Sequence, residues 1–184
     1  MTPAEYIQLK AFARIDGAIV GLMWIASFAS YVGGLTTPGL GFVAMLLGVG
    51  SLVVAALRLR RFRDYAREGV ISFARAAAYF TLIFLYASLL LALAQYVYFA
   101  FIDGGYLVST YTSLMSTPEA AAMMKAYGVD AQQMGQSISL LAQTDPIYIV
   151  LNILSMNVTA GVLMSLPVAA IVKRKGPVGH TGEQ

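Results

Sequence analysis

A single aspartate, Asp16, lies about one turn inside the boundary of the first apolar stretch of this sequence, on a helical face with Ala13, Gly17 and Val20. A carboxylate within an apolar segment is expensive and commonly carries a proton or cation, so Asp16 is a candidate for ion translocation. The alternative is a structural ion pair with Arg14, or with Arg75 at the corresponding level of the third stretch. The ion pair is favoured because water and flexible side chains reach a position so near the boundary.

Carboxamides form the second set of candidates. The last apolar stretch is the most polar and contains an internal proline, Pro167, while Gln95 is the only amide in the third. The polar side chains of the last stretch are Asn152, Ser155, Asn157 and Thr159. Such groups can line a solute path through a broken helix, or join helices through hydrogen bonds of about 1 kcal/mol each. We expect helix joining, because a transporter usually has more intramembrane polarity.

Five arginines and no lysine stand between the second and third stretches, with Phe62 and Tyr65 among them. They are Arg58, Arg60, Arg61, Arg63 and Arg67. Guanidinium groups bind phosphate bidentately where lysine acts as a point charge, so these arginines are predicted to contact anionic lipid headgroups, a phosphorylated lipid carrier or a partner. The alternative is that they only anchor the topology.

No catalytic or metal-binding pattern is found. The only histidine, His180, stands alone near the end of the sequence, cysteine is absent, and neither a nucleophile motif nor a phosphate loop occurs. The methionines between residues 123 and 134 favour adaptable packing over metal binding. We therefore expect no enzyme activity, cofactor or metal.

The elements that hold these residues are four apolar stretches, at about 15–32, 40–57, 73–101 and 147–172. With 59% hydrophobic and 11% charged residues, the chain is too apolar for a soluble domain. Each stretch reaches the roughly 18 residues that a bilayer crossing needs. The sequence predicts one membrane domain over residues 1–175, followed by a flexible polar tail at 176–184.

The orientation follows from charge. Of 12 Lys and Arg residues, all but Lys125 fall on one side of the predicted spans, which places that side and both termini in the cytoplasm. The same distribution explains the net charge of +3 without nucleic-acid binding. No cleavable signal peptide is evident, so we expect the first span to be retained in a bacterial inner membrane.

Residues 102–146 form a polar excursion on the other side. Cap and proline signals at 116–119 and at Asp130 predict two short amphipathic helices, the second ending near Ala142. The predicted fold is therefore all-α, an integral membrane four-helix bundle of two antiparallel hairpins with a short helical hairpin in the outer loop.

Small residues one turn apart occur in three of the spans. The pairs are Gly17 and Gly21, Ala44 and Gly48, and Gly161 and Ser165. Such pairs allow close approach of helices, either within the chain or between the two copies of a homodimer.

The segment Arg61-Phe-Arg-Asp64, followed by Gly69 and Ile71-Ser-Phe73, resembles a signature of bacterial four-span proteins in domain-of-unknown-function family 4199. The resemblance extends over nearly the whole chain and implies the four-span topology, without an activity. We expect a non-catalytic accessory or scaffold protein of an envelope system, in contact with anionic lipid or a membrane-protein partner. The alternative is a small transporter or lipid-handling protein that uses Asp16 and the polar residues of span four.

Overall fold

The computed structural model describes residues 2–174, so Lys175 and the predicted tail at 176–184 lie outside the described residues. Four helices are long and apolar enough to cross a membrane. These are α1 (Pro3–Gly34), α2 (Leu40–Ala66), α3 (Phe73–Val97, continued by a π-helical turn at Tyr98–Ile102) and α7 (Pro146–Val172). The all-α prediction of a multi-pass membrane protein is confirmed.

Two helices extend well beyond the predicted apolar limits. Helix α1 begins at Pro3 because Thr2 and Glu5 form a capping box, in which each side chain accepts a hydrogen bond from the other's backbone N–H. Helix α2 continues through the arginines to Ala66, since arginine is itself a good helix former. The predicted cytoplasmic link is therefore shorter than expected, and Glu68 and Gly69 turn the chain with φ of 52° and 80°.

Helices α1 and α2 form the tight hairpin that the sequence predicts. A Cβ atom on Gly34 would lie 2.6 Å from the backbone nitrogen of Gly41, so only glycine allows this approach. Further along, the Trp24 indole donates to Ser51 Oγ at 2.7 Å, and Ser27 Oγ donates to the Ala44 carbonyl at 2.8 Å.

Helix α3 is the central element of the bundle. It packs extensively on both α1 and α7, whereas α2 packs mainly on α1, so the helices follow one another in the order α2, α1, α3, α7. Fully buried side chains of α3, including Tyr79, Phe80 and Ile83, supply much of the core. The second antiparallel pair is α3 with α7, as expected.

The excursion contains three helices instead of the predicted two: α4 (Tyr106–Met115), α5 (Pro118–Ala126) and α6 (Ala131–Gln143). Helices α5 and α6 start at the predicted caps, where the Thr117 hydroxyl and the Asp130 carboxylate accept backbone hydrogen bonds. Helix α4 was missed because its N-cap is Gly105, in a left-handed conformation, and the carboxylate that accepts from the first turn, Asp103, lies two residues before that cap.

The charged ends of α1, α2, α3 and α7 meet at one end of the bundle, which we call the basic end. Ile71, just before α3, pairs its backbone with Arg174, just after α7, in both directions at 3.1 Å. The polar candidates can now be placed relative to this end.

Candidate functional site

Asp16 connects three helices. Its side chain is 4% exposed and forms an ion pair with Arg58 of α2, whose Nε donates to Oδ1 at 2.6 Å. The Tyr79 hydroxyl of α3 donates to Oδ2 at 2.5 Å. The predicted pairing of Asp16 with Arg14 or Arg75 is wrong, because the hairpin brings Arg58 to this level from the neighbouring helix.

Arg75 belongs to a different cluster, at the basic end. Glu5 accepts from Arg67 Nη2 at 2.8 Å and from Arg75 Nη2 at 3.0 Å. One carboxylate thus joins the start of α1, the end of α2 and the start of α3. Sequence reasoning missed Glu5 because it precedes the first apolar stretch, although the Thr2-x-x-Glu5 capping pattern could have shown that the helix already includes it.

Arg63 forms a hydrogen bond with the end of α7. Its Nη1 donates to the Val172 carbonyl at 3.0 Å, and its Nε donates to Asp64 at 2.7 Å. A guanidinium in this place satisfies a carbonyl that the helix end leaves without a partner. Three of the five candidate arginines, Arg58, Arg63 and Arg67, are therefore occupied within the chain.

Arg60 and Arg61 are different, since both are exposed and neither has a carboxylate partner within residues 2–174. Arg61 lies over the ring of Tyr65, with 5.5 Å from Cζ to the ring centroid, and Tyr65 is 82% exposed. These two arginines are the members of the predicted contact set whose guanidinium groups are available to a ligand.

Beside Arg61 lies a groove between α1 and α2, which we call the basic groove, with a volume of about 280 Å³. Its walls are largely apolar, and its charged groups are Arg61 and the Asp16–Arg58 ion pair. It is lined by Phe12, Ile15, Asp16, Arg58, Arg61, Phe62 and Tyr65. Apolar walls beside a guanidinium suit an amphiphile with an anionic head.

The polar residues of span four do not join Asp16. Asn157 instead shares a cavity of about 480 Å³ with Gln95, near Trp24 and Phe28. Gln95 is 5% exposed, and its Oε1 has no hydrogen-bond partner among the described residues. Asn152 is exposed on the outer face of α7.

The expected hydrogen bonds from the polar residues of span four to other helices are not found among the described residues. Ser155 and Thr159 donate back to the carbonyls of Leu151 and Ser155, at 2.9 and 2.8 Å. No side-chain hydrogen bond of Asn152 or Asn157 is found within the described chain. Within the described chain, shape and not side-chain hydrogen bonding therefore holds α7 to α3.

The small residues provide that shape. A Cβ on Gly161 would lie 2.6 Å from Phe84 Cγ, and one on Gly17 would lie 2.6 Å from Tyr86 Cβ, so both glycines are needed for contact with α3. Gly21 is similarly close to Ala87 at 3.2 Å. Ala44 and Ser165 are buried, and Gly48 lies against Ser27. Of the two alternatives, packing within the chain is the one the structure shows.

No group of three or more His, Cys, Asp or Glu side chains that could hold a metal ion occurs in the described part of the chain. His180 lies outside it.

Comparison with known proteins agrees with the resemblance noted in the sequence. The family model described as "Protein of unknown function (DUF4199)" matches residues 16–174. No curated protein and no solved structure shows a significant match.

Proposed function

The chain belongs to the DUF4199 family of proteins of unknown function, and from that premise we propose that it is a non-catalytic accessory or scaffold protein that binds anionic lipid in its basic groove. We place it in the bacterial inner membrane with the basic end and both termini in the cytoplasm, as the positive-inside rule requires. The proposal also assigns it to an envelope system, where a lipid-holding bundle would support a partner.

The observation that carries this proposal is that the chain's own acids pair with some of the arginines and leave others without a carboxylate partner among the described residues. The described basic end has ten Lys and Arg side chains against Glu5, Asp16, Asp64 and Glu68, a net charge of +6. Three of these four acids are already paired with arginine. The positive charge left over attracts anions, and the anionic lipids of a cytoplasmic leaflet are an abundant source of them.

The groove offers contacts to both parts of such a lipid, the anionic head and the acyl chain. Arg61, which lines the groove, can bind a phosphate through two parallel hydrogen bonds. Arg60, the preceding residue of α2, is exposed and adds positive charge outside the groove lining. Phe12 and Ile15 lie on the opposite wall, 41% and 62% exposed, and offer an apolar surface to an acyl chain. Arg58 is held by Asp16, so the binding energy in the groove comes from Arg61 and the apolar wall, with Arg60 adding positive charge nearby.

The transport alternative receives less support from the geometry. Asp16 is engaged by Arg58 and Tyr79, while Gln95 and Asn157 line a separate cavity. A solute path would need these groups along one route, and here they face two different spaces.

The test replaces Arg60 and Arg61 together by lysine, which keeps the charge and removes the guanidinium fork. After extraction with native lipid, native mass spectrometry should show several-fold less bound anionic phospholipid. Arg14→Lys is the matched control, because Arg14 is exposed on α1 but does not line the groove. Equal lipid retention in the double variant and the wild type, with correct insertion, would leave the arginines as a topological anchor only.

A further inference from the structure

The outward face of α7 carries a row of exposed residues that no other helix of the chain covers. Asn152, Thr159 and Leu166 recur every seven residues, and Ser155 and Val162 fall between them. All five are exposed. This spacing is typical of a helix that packs along a seam with a second, nearly parallel helix.

Asn152 lies within the membrane. It is six residues, roughly 9 Å, along α7 from the start of that helix at Pro146. Asn152 is therefore well inside the apolar part of the bundle, where acyl chains offer no hydrogen-bond partner and an unpaired amide is costly.

The amide of Asn152 is also the polar group of this row that remains unsatisfied. The hydroxyls of Ser155 and Thr159 each donate to a carbonyl one turn back, as described above. The Asn152 side chain has no hydrogen bond within residues 2–174, so its donor and its acceptor are both free for a partner outside the chain.

We propose that this row is the interface for a second copy of the chain. Two copies with the same topology hold their α7 helices parallel, so the two Asn152 amides stand at the same depth. A carboxamide has both donor and acceptor, so each amide can satisfy the other. A different protein would need its own polar group at that depth, whereas a second copy supplies it by symmetry.

The remaining contacts are compatible with this dimer. An asparagine at such a seam position fixes the register of two parallel helices, and Val162 and Leu166 supply apolar contact below it. The small-residue motifs are used inside the bundle, so association requires no internal rearrangement. The surface is on α7, away from the basic groove of α1 and α2, and dimerisation does not depend on lipid binding there.

Disulfide mapping tests the interface directly, because the chain contains no cysteine. Single cysteines are introduced at Thr159 and Leu166, and the full chain is oxidised in native membranes. Controls are cysteines at Val49 of α2 and Leu93 of α3, which are 60% and 63% exposed but lie on other faces. We expect covalent dimers at 159 and 166 only. Equal yields at all four positions, or none at 159 and 166, would overturn the proposal.

The role of the amide is tested by Asn152→Leu in the Thr159→Cys background. An interhelical hydrogen bond of this kind should be worth roughly 3- to 30-fold in the dimer dissociation constant, measured by dilution in lipid. Asn152→Gln, which keeps the carboxamide, should recover part of this loss. Because Asn152 faces outward, both variants should fold, as Trp24 fluorescence can verify. An unchanged dissociation constant in Asn152→Leu would show that the amide does not hold the dimer and would refute the proposed interface.

Discussion

Replacing Asp16 by Leu should destabilise the bundle strongly, because it leaves Arg58 without its carboxylate between three helices. Removing one partner of a buried pair costs about 3–5 kcal/mol. The Arg58 side chain is 25% exposed and can turn toward the basic end, so we expect about 2–4 kcal/mol. Arg58→Leu should cost at least as much, since the Asp16 side chain is 4% exposed and too short to reach water.

The double variant, Asp16→Leu with Arg58→Leu, should lose clearly less stability than the two single losses added together, because apolar side chains commonly replace a buried ion pair without loss. It should remain about 1–3 kcal/mol below the wild type, because the buried Tyr79 hydroxyl loses its acceptor. The assay is reversible unfolding in mixed micelles followed by the fluorescence of Trp24, the one tryptophan. Asp16→Leu with Arg75→Leu is the matched control, and its two effects should add, because Arg75 contacts Glu5 instead. Additive losses for Asp16 and Arg58 would refute the assignment of this pair.

Further predictions concern packing and topology. Gly161→Ala should cost about 1–3 kcal/mol in the same unfolding assay, because the added methyl meets the Phe84 ring; Gly50→Ala, with nothing within 4 Å of the added atom, should cost nothing. A reporter fused after Lys175 should be active in the cytoplasm, and a tag beside Asp130 should be labelled only from outside. A reporter that is active only outside the cytoplasm, or a tag that is labelled from the cytoplasmic side, would contradict the orientation.

Most of the fold could be predicted from the sequence because helices that cross a membrane appear as long apolar stretches. Four apolar stretches, and caps at Thr117, Asp130 and Asp145, mark most helices without tertiary information. Helix α4 was missed because its N-cap is a glycine, Gly105, and the carboxylate that accepts from Leu107 N–H, Asp103, lies two residues earlier. The extensions of α1 and α2 were missed because hydropathy identifies apolar segments. It does not show whether the polar segments next to them are also helical.

Pairing within the site could not be read from the sequence. Several arginines could reach Asp16 in one four-helix arrangement or another. Arg58 is its partner because it lies at the same depth on the neighbouring helix. The same holds for Arg63, whose partner is a backbone carbonyl at Val172, 109 residues away. A cluster of arginines predicts excess positive charge but not which members remain free.

The most direct test of lipid binding in the basic groove is photo-crosslinking from within it. A photoreactive residue at Ile15, which lines the groove, is compared with one at Leu22 on the same helix. The two positions are almost equally exposed, at 62% and 61%. After irradiation in native membranes, adducts at Ile15 should be enriched in anionic phospholipid over those at Leu22. Replacing Arg60 and Arg61 by lysine should remove the enrichment, whereas the same lipid composition at both positions in the wild type would contradict the account.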